Sequence, residues 1–187
     1  MGILRSLGAF FLDILQVVVF ATALFLFMYL LVMQPHKIKG NSMHPNFPDG
    51  EYLLTDKVSY RFGEPQRGDV IVFKAPYEDG DEFIKRIIGL PGDTVSVQGG
   101  SVYINGTRLE ETYIDGSIYT VGGTFLGDGE TETVPPHQYF VLGDNRDYSS
   151  DSRSWGYVPV NKITGRAWVI YWPIQYSGAI ERPTYAF

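Results

Sequence analysis

A run of twenty residues without a single charge, 14–33, constrains the fold of this 187-residue chain more than any other feature. Only Gln16, Thr22 and Tyr29 dilute its apolar character. Twenty helical residues span about 30 Å, the thickness of the hydrocarbon core of a bilayer. A core helix of a soluble protein normally carries a polar face, and this run has none. The sequence therefore predicts a transmembrane anchor over 14–33, preceded by a short segment, 1–13.

A cleaved signal peptide is the alternative, because Ala21-Thr22-Ala23 offers a small-x-small site. Apolar residues continue for ten positions beyond that site, to Met33. The apolar part of a signal peptide is usually only about 7 to 15 residues long. An uncleaved anchor is therefore the prediction, and slow self-cleavage within it is a separate hypothesis.

Beyond Gln34-Pro35 the pattern changes to short segments in which apolar and polar residues alternate, as they do in strands. Gly99-Gly100 and Asn105-Gly106 are typical of two-residue hairpin turns. The predicted strands are 51–58, 69–74, 82–88, 94–98, 101–105, 138–142 and 166–172. The expected fold class is mostly β, with a single N-terminal transmembrane helix followed by a coiled β-sheet or barrel, 36–187. Residues 106–137 are predicted to be a loop or hairpin insertion.

Composition excludes several functions for residues 36–187. Only Arg5 and Asp13 precede them among the charged residues, so they carry 14 of the 15 basic and 20 of the 21 acidic residues. That balance disfavours nucleic-acid binding. The chain has no cysteine, which excludes disulfides, thiol catalysis and thiolate metal sites. Its three histidines lie far apart, so we expect no metal, no cofactor and no nucleic acid partner.

Ser42 is a candidate nucleophile in a loop that begins shortly after the apolar run. Gly40 permits unusual backbone dihedrals beside it, and Pro45 restricts the chain after it. Most serines are surface hydroxyls, however, and this alternative stays open on the loop alone.

Lys85 is the candidate base, since Phe83 and Ile87 share its face of a predicted strand. Burial among apolar neighbours lowers a lysine pKa, and moving it from about 10.4 to near 8 costs roughly 3 kcal/mol. A neutral lysine is able to take the proton of a serine hydroxyl. The alternative is an edge-strand lysine whose amine reaches water. Arg86 is excluded as a base because its guanidinium stays charged.

A third segment, 143–156, is dense in small hydroxyls and alternating charges. Such charges most often make structural ion pairs and turn hydrogen bonds. The same segment is also suited to orient a hydroxyl group against a lysine amine.

Together these segments resemble the bacterial type I signal peptidases, which are membrane-anchored serine endopeptidases, and in particular their compact, single-anchor type. The resemblance is carried by four blocks in order behind one anchor: Ser42-Met43-His44-Pro45, 67–73, 85–93 and 143–156. Any one block is weak evidence, whereas the ordered set is specific and covers most of the chain.

The resemblance implies a Ser42 nucleophile and a neutral Lys85 general base. It implies that Ser149 hydrogen-bonds the lysine and that four charged residues brace the site: Asp144, Arg146, Asp151 and Arg153. It implies shallow apolar pockets for small substrate residues, formed by Ile38, Met43, Phe47, Leu53, Val72, Phe83 and Ile84. The expected activity is removal of signal peptides from exported preproteins after small-x-small sites.

The resemblance also implies a single-pass protein in the cell membrane. Arg5 on one side of the anchor and Lys37 and Lys39 on the other leave its orientation undecided by charge. The family places the N-terminus in the cytoplasm and the catalytic domain outside. The expected partners are therefore preprotein signal peptides and the lipid bilayer.

The aromatic segment 168–174 is predicted either to touch lipid head groups or to be ordinary strand core.

The chain departs from one branch of the family at Gly40, where a Ser or Thr of that branch donates to the oxyanion. The Ser42 backbone N–H would then act with a second donor that the sequence does not identify. Phe47 replaces a smaller aliphatic residue and predicts a tighter pocket.

Two other functions stay open: a relative specialised for one pilin-like or conjugation protein, and an inactive membrane-anchored binding protein. The second is disfavoured because a pure binding protein needs neither Ser42, Lys85 nor Ser149.

Overall fold

The computed structural model describes residues 2–76 and 81–185, with side chains from Leu7 onward. The outer ends of the predicted segments 1–13 and 36–187 therefore lie outside the described residues. The chain begins with helix α1, Gly2–Phe27, which continues through one wider π-helical turn, Met28–Val32. The stretch Leu7–Val32 is long and apolar enough to cross a membrane, and none of its side chains is buried in the described chain.

The described residues continue with twelve strands and two short helices. The strands are β1 (Met33–Lys37), β2 (Tyr52–Asp56), β3 (Val70–Lys74), β4 (Glu82–Gly89), β5 (Thr94–Gln98), β6 (Ser101–Ile104), β7 (Thr107–Arg108), β8 (Thr131–Thr133), β9 (Gln138–Leu142), β10 (Val158–Pro159), β11 (Ile163–Trp172) and β12 (Gly178–Ala179). The short helices are α2 (Ser59–Phe62) and α3 (Ser152–Trp155).

The strands form two antiparallel sheets. The larger sheet has the order β1-β2-β11-β3-β4-β9-β10, with β12 paired to β11. The smaller sheet has the order β7-β6-β5-β8. The mostly β class with one N-terminal apolar helix is thus confirmed. All seven predicted strands are present, with bounds that differ from the prediction by up to three residues.

The strands that the sequence missed are short or lack alternation. β7, β8, β10 and β12 have two or three residues each, too few to show a period. β1 contains a proline and little apolar alternation, and its conformation depends on pairing with β2, from Met33 with Asp56 to Lys37 with Tyr52. The helical stretch therefore ends at Val32 rather than at Met33, and it begins well before residue 14.

Apolar residues pack into separate clusters that support different parts of the molecule. Inward-facing residues of β5 and β6, Val95 and Ile104 among them, pack against Phe140 and Leu142 of the larger sheet. A second cluster lies under the loop that connects β1 to β2. Its buried members are Ile38, Met43, Phe47, Leu53, Val70, Val72 and Ala167. Burying such side chains contributes about 1.5 to 3 kcal/mol each, so this loop is held by packing rather than by regular structure.

Candidate active site

The loop between β1 and β2 presents Ser42 and is held in place from two sides. On one side, Met43 and Phe47 are buried in the core, and the Phe47 N–H donates to the Met43 carbonyl at 2.9 Å. On the other side, the Asn145 backbone N–H donates to the Ser42 carbonyl at 3.1 Å. Gly40 has φ +83°, a left-handed conformation that favours glycine. The serine is therefore placed by its neighbours, while its own side chain is left for another partner.

That partner is Lys85. Its Nζ lies 2.7 Å from Ser42 Oγ and donates a second hydrogen bond to the Ile84 carbonyl at 2.9 Å. The lysine is only 4 % exposed, on a strand whose flanking residues are Phe83 and Ile87 on the same face. The two predicted catalytic residues, 43 positions apart in sequence, thus meet at hydrogen-bond distance.

Burial changes the proton affinity of this lysine. Loss of hydration disfavours the ammonium and lowers the pKa of Lys85 to about 8, although Asp151 and Asp144 act to raise it. A substantial fraction of the amine is then neutral in mildly alkaline water. A neutral amine 2.7 Å from a hydroxyl oxygen is able to accept its proton.

Ser149 does not make its predicted hydrogen bond to Lys85. Its Oγ is buried and has no partner in the part of the chain that the structure describes. The lysine amine instead donates to the Ile84 carbonyl, which belongs to its own strand. Ser149 does lie close by, since a Cβ at Gly143 would come within 2.2 Å of Ser149 Oγ and 2.4 Å of the Ser42 carbonyl oxygen. Gly143 is thus needed for this approach, a role that the sequence did not reveal.

Asp144 is buried below the dyad and pairs with Arg86. The guanidinium donates through Nε and Nη2 to both carboxylate oxygens, at 2.8 and 2.7 Å. Asn46 Nδ2 donates to the same carboxylate at 2.8 Å and thereby joins the serine loop to the ion pair. Such a bidentate contact restricts both groups in orientation as well as position. The sequence considered Arg86 only as an excluded base, because its partner is 58 positions away.

The other predicted braces form two further ion pairs. Arg153 binds Asp151 through Nε and Nη2, both at 2.8 Å, and the Asp151 carboxylate accepts the Gly143 backbone N–H at 3.0 Å. Arg146 donates from Nη1 to Glu111 at 2.8 Å and from Nε to the Gly143 carbonyl at 3.0 Å. The predicted residues therefore brace the segment around Gly143, and Glu111 is a partner that the sequence missed.

A cleft of about 530 Å³ opens beside Ser42 and Lys85. Five of the predicted pocket residues line it: Ile38, Leu53, Val72, Phe83 and Ile84. Met43 and Phe47 do not, because both are inserted into the core beneath the loop. Phe47 thus lies outside this cleft, and its effect on the width of a substrate pocket stays a prediction.

The rim of the cleft is polar, which the sequence did not predict. Charged or polar residues in or next to β1 and β4 line this part, together with one serine: His36, Lys37, Lys39, Asp81, Glu82 and Ser150. His36 Nδ1 lies 3.1 Å from a Glu82 oxygen. Among the described residues, no group of three His, Asp or Glu side chains is arranged to hold a metal ion.

The oxyanion donors stay a prediction. The Gly40 N–H is already used, because it donates to Asp49 Oδ1 at 2.7 Å. The Ser42 N–H makes no hydrogen bond within the described residues.

Comparison with known proteins gives consistent matches. The profile described as signal peptidase, peptidase S26 matches residues 11–172. Signal peptidase I of Leptolyngbya laminosa is 43 % identical over 160 residues, which cover 81 % of this chain and 75 % of that protein. Signal peptidase IB of Staphylococcus aureus strain COL is 30 % identical over 177 residues, covering 87 % and 92 %. A solved signal peptidase I of Enterococcus faecalis V583 aligns with a TM-score of 0.45 and 34 % identity, over 56 % of this chain and 97 % of that one.

Proposed function

Because the chain belongs to the signal peptidase family, peptidase S26, we propose that Ser42 is the nucleophile and Lys85 the general base of its reaction. The protein is a serine endopeptidase that removes signal peptides. The observation that carries the assignment of residues is the 2.7 Å contact between Lys85 Nζ and Ser42 Oγ at the wall of the cleft.

In the proposed reaction, Ser42 Oγ attacks the carbonyl carbon of the scissile peptide while Lys85 Nζ takes the hydroxyl proton. The resulting ammonium returns that proton to the leaving amine as the tetrahedral intermediate collapses to an acyl-enzyme. A water molecule, activated by the same lysine, then releases the signal peptide from Ser42. The Ser42 N–H is the proposed donor to the oxyanion.

The proposed substrates are preproteins with small residues on the two cleft-facing positions before the cut. Apolar side chains from three strands, Leu53, Val72 and Ile84 among them, form the floor of the cleft. A shallow apolar floor rejects large side chains by clash, which discriminates better than rewarding one additional methyl group.

We further propose that α1 anchors the enzyme with its N-terminus in the cytoplasm and the β domain outside. A signal peptide is itself an apolar helix in the bilayer, so an anchored protease meets its cleavage site where that helix ends. The short connection from Val32 to Ser42 supports this arrangement.

Cleavage of a preprotein by the wild type beside Ser42→Ala and Lys85→Ala tests the assignment. Each substitution is expected to lower kcat by on the order of 10⁴-fold or more, as removal of a nucleophile or its base does in other serine proteases. Ser154→Ala and Lys74→Ala are matched controls, because both side chains are exposed, and they should cleave normally. Full activity of folded Lys85→Ala would refute the dyad.

A further inference from the structure

Helix α2 holds an aromatic side chain out in solvent. Phe62 is 87 % exposed, more than any other large apolar side chain of the described residues. Successive helical residues differ by about 100°, so residues two apart point to nearly opposite sides. Tyr60 points inward, where its hydroxyl donates to Asp69 Oδ2 at 2.9 Å and its ring packs beside the cluster around Phe73. The burial of Tyr60 therefore forces Phe62 outward.

The same turn is tied to the end of the apolar helix. The Lys57 backbone N–H donates to the carbonyl of Val32, the last residue of the membrane-length stretch, at 3.0 Å. The Asp56 carboxylate accepts the backbone N–H groups of Val58 and Ser59 at 2.8 and 3.0 Å, which starts the turn directly after β2. Phe62 thus follows closely in sequence after Lys57, whose backbone contacts the last residue of the apolar span.

The charge of this segment differs from that of the whole chain. Residues 56–64 are neutral, since Lys57 and Arg61 balance Asp56 and Glu64, while the chain as a whole has a formal charge of −6. Arg61 and Phe62 are both exposed and adjacent. A basic residue beside an exposed aromatic ring is the combination that suits the surface of an anionic bilayer.

From this geometry we propose that α2 is a second membrane contact, with the Phe62 ring at the boundary between head groups and acyl chains and Arg61 on lipid phosphates. The proposal rests on the proposed membrane anchoring by α1. A single helix leaves the domain free to rotate and tilt, whereas two contacts orient the cleft toward substrates in the same leaflet.

The aromatic segment 168–174 is the competing contact, and Trp172 lies farther along the sheet from the end of the apolar helix than the start of α2 does. Trp172 pairs with Tyr52, which pairs with Lys37, whereas the span ends beside the pair Met33 and Asp56. Tyr52 and Asp56 are four residues apart, a distance of about 13 Å along β2. α2 follows Asp56 and is therefore on the side where the helix joins the sheet.

Depth measurement on the full-length protein tests the contact. The chain has no cysteine, so Phe62→Cys accepts a single nitrobenzoxadiazole label, and Tyr119→Cys is the matched control. Tyr119 is 60 % exposed and packs at Gly100 of the smaller sheet. In vesicles of phosphatidylcholine and phosphatidylglycerol, the label at 62 should be quenched by spin-labelled lipid and be several-fold less accessible to aqueous iodide than the label at 119. Equal iodide accessibility at both positions would overturn the proposal.

A kinetic comparison tests the consequence of the contact. Phe62→Ser should lower cleavage of a bilayer-embedded preprotein several-fold and leave cleavage of a water-soluble peptide unchanged, whereas Tyr119→Ser should change neither. Unchanged cleavage of the embedded preprotein by Phe62→Ser would contradict the orienting role. Absence of cleavage by the wild type would instead refute the proposed function, and the label depths would still decide whether α2 contacts lipid.

Discussion

The proposed role of Lys85 as a base conflicts with the stability of the fold. The side chain is 4 % exposed, and desolvation lowers its pKa to about 8 despite the attraction of Asp151 and Asp144. At pH 7 about one molecule in ten then carries the neutral amine. The proposed reaction needs that neutral amine, while folding requires the same group to give up either its proton or its hydration.

The pH dependence of cleavage follows directly from this pKa. Because the base must be neutral, kcat/KM should rise about tenfold per pH unit below pH ~8 and level off above it. Cleavage of a soluble peptide from about pH 6 to 9 measures the profile, with Lys74→Ala as the control that should superimpose on the wild type. A flat profile would exclude Lys85 as the base.

The same shift predicts that an inactive variant is more stable. The folded-state pKa lies below the unfolded value, so the cost of burying the lysine is largest below pH ~8 and disappears as pH rises toward the unfolded pKa. Lys85→Met removes that cost and leaves Ser42 without its hydrogen bond, for a net gain of about 2 to 3 kcal/mol at pH 7. Denaturant unfolding at pH 7 and at about pH 10 measures it, and a gain that does not shrink at the higher pH would contradict the explanation.

For individual residues, the sequence predicted which side chains meet at the proposed site better than it predicted the contacts they make there. Alternation along β4 placed Lys85 among apolar neighbours, and the resemblance supplied Ser42. It did not show that Asp144 pairs with Arg86, because that pairing depends on β4 lying beside β9. It also missed that Lys85 bonds to the Ile84 carbonyl rather than to Ser149, since a few ångströms of backbone position decide which acceptor or donor is reached.

Among the elements, the segment 106–137 contributes more than its composition indicates. It supplies β7 and β8 to the smaller sheet, and it supplies Glu111 to the buried guanidinium of Arg146. Thr120 Oγ1 accepts another hydrogen bond from that guanidinium at 2.8 Å. The Arg146 Nε holds the Gly143 carbonyl beside the dyad, so the segment supports the active site from a distance.

Removing Glu111 should therefore destabilise the protein strongly. Glu111→Ala leaves the Arg146 guanidinium buried without its carboxylate, which typically costs about 3 to 5 kcal/mol. The neighbouring Glu110 is exposed, and Glu110→Ala should change stability by no more than about 0.5 kcal/mol. Chemical denaturation of both variants measures the difference, and equal stabilities would show that the ion pair contributes nothing.

There is a physical reason why the sequence did not predict the structural contribution of residues 106–137. Strands of two and three residues carry no measurable period, and the acidic glycine-rich run around Asp128 has the composition of a solvated loop. Longer elements with clear alternation, such as β5 and β6, were predicted closely. Ion pairs between segments depend on the sheet order, which local pattern does not determine.

For the whole molecule, the connection between anchor and nucleophile is short and structured. β1 begins directly after the helical stretch and is paired along its full length with β2. The Ile38 N–H then donates to the Glu51 carbonyl at 2.8 Å, and the serine loop follows. With paired backbone on both sides of the loop, the position of Ser42 relative to the end of the helix is restricted, and the proposed anchor would keep the dyad near the membrane surface.

Deleting residues 1–32 should therefore separate chemistry from delivery. The remaining domain retains the Ser42–Lys85 contact and the cores around it, so its kcat/KM on a soluble peptide should stay within a few-fold of the full-length value. On a preprotein embedded in vesicles the rate should fall by about 10² or more, because confinement of enzyme and substrate to one bilayer is lost. Full-length Ser42→Ala is the control that should lose both activities. An equal loss on both substrates would mean that the helix supports the fold of the site, for which the Val32–Lys57 hydrogen bond is the first contact to test.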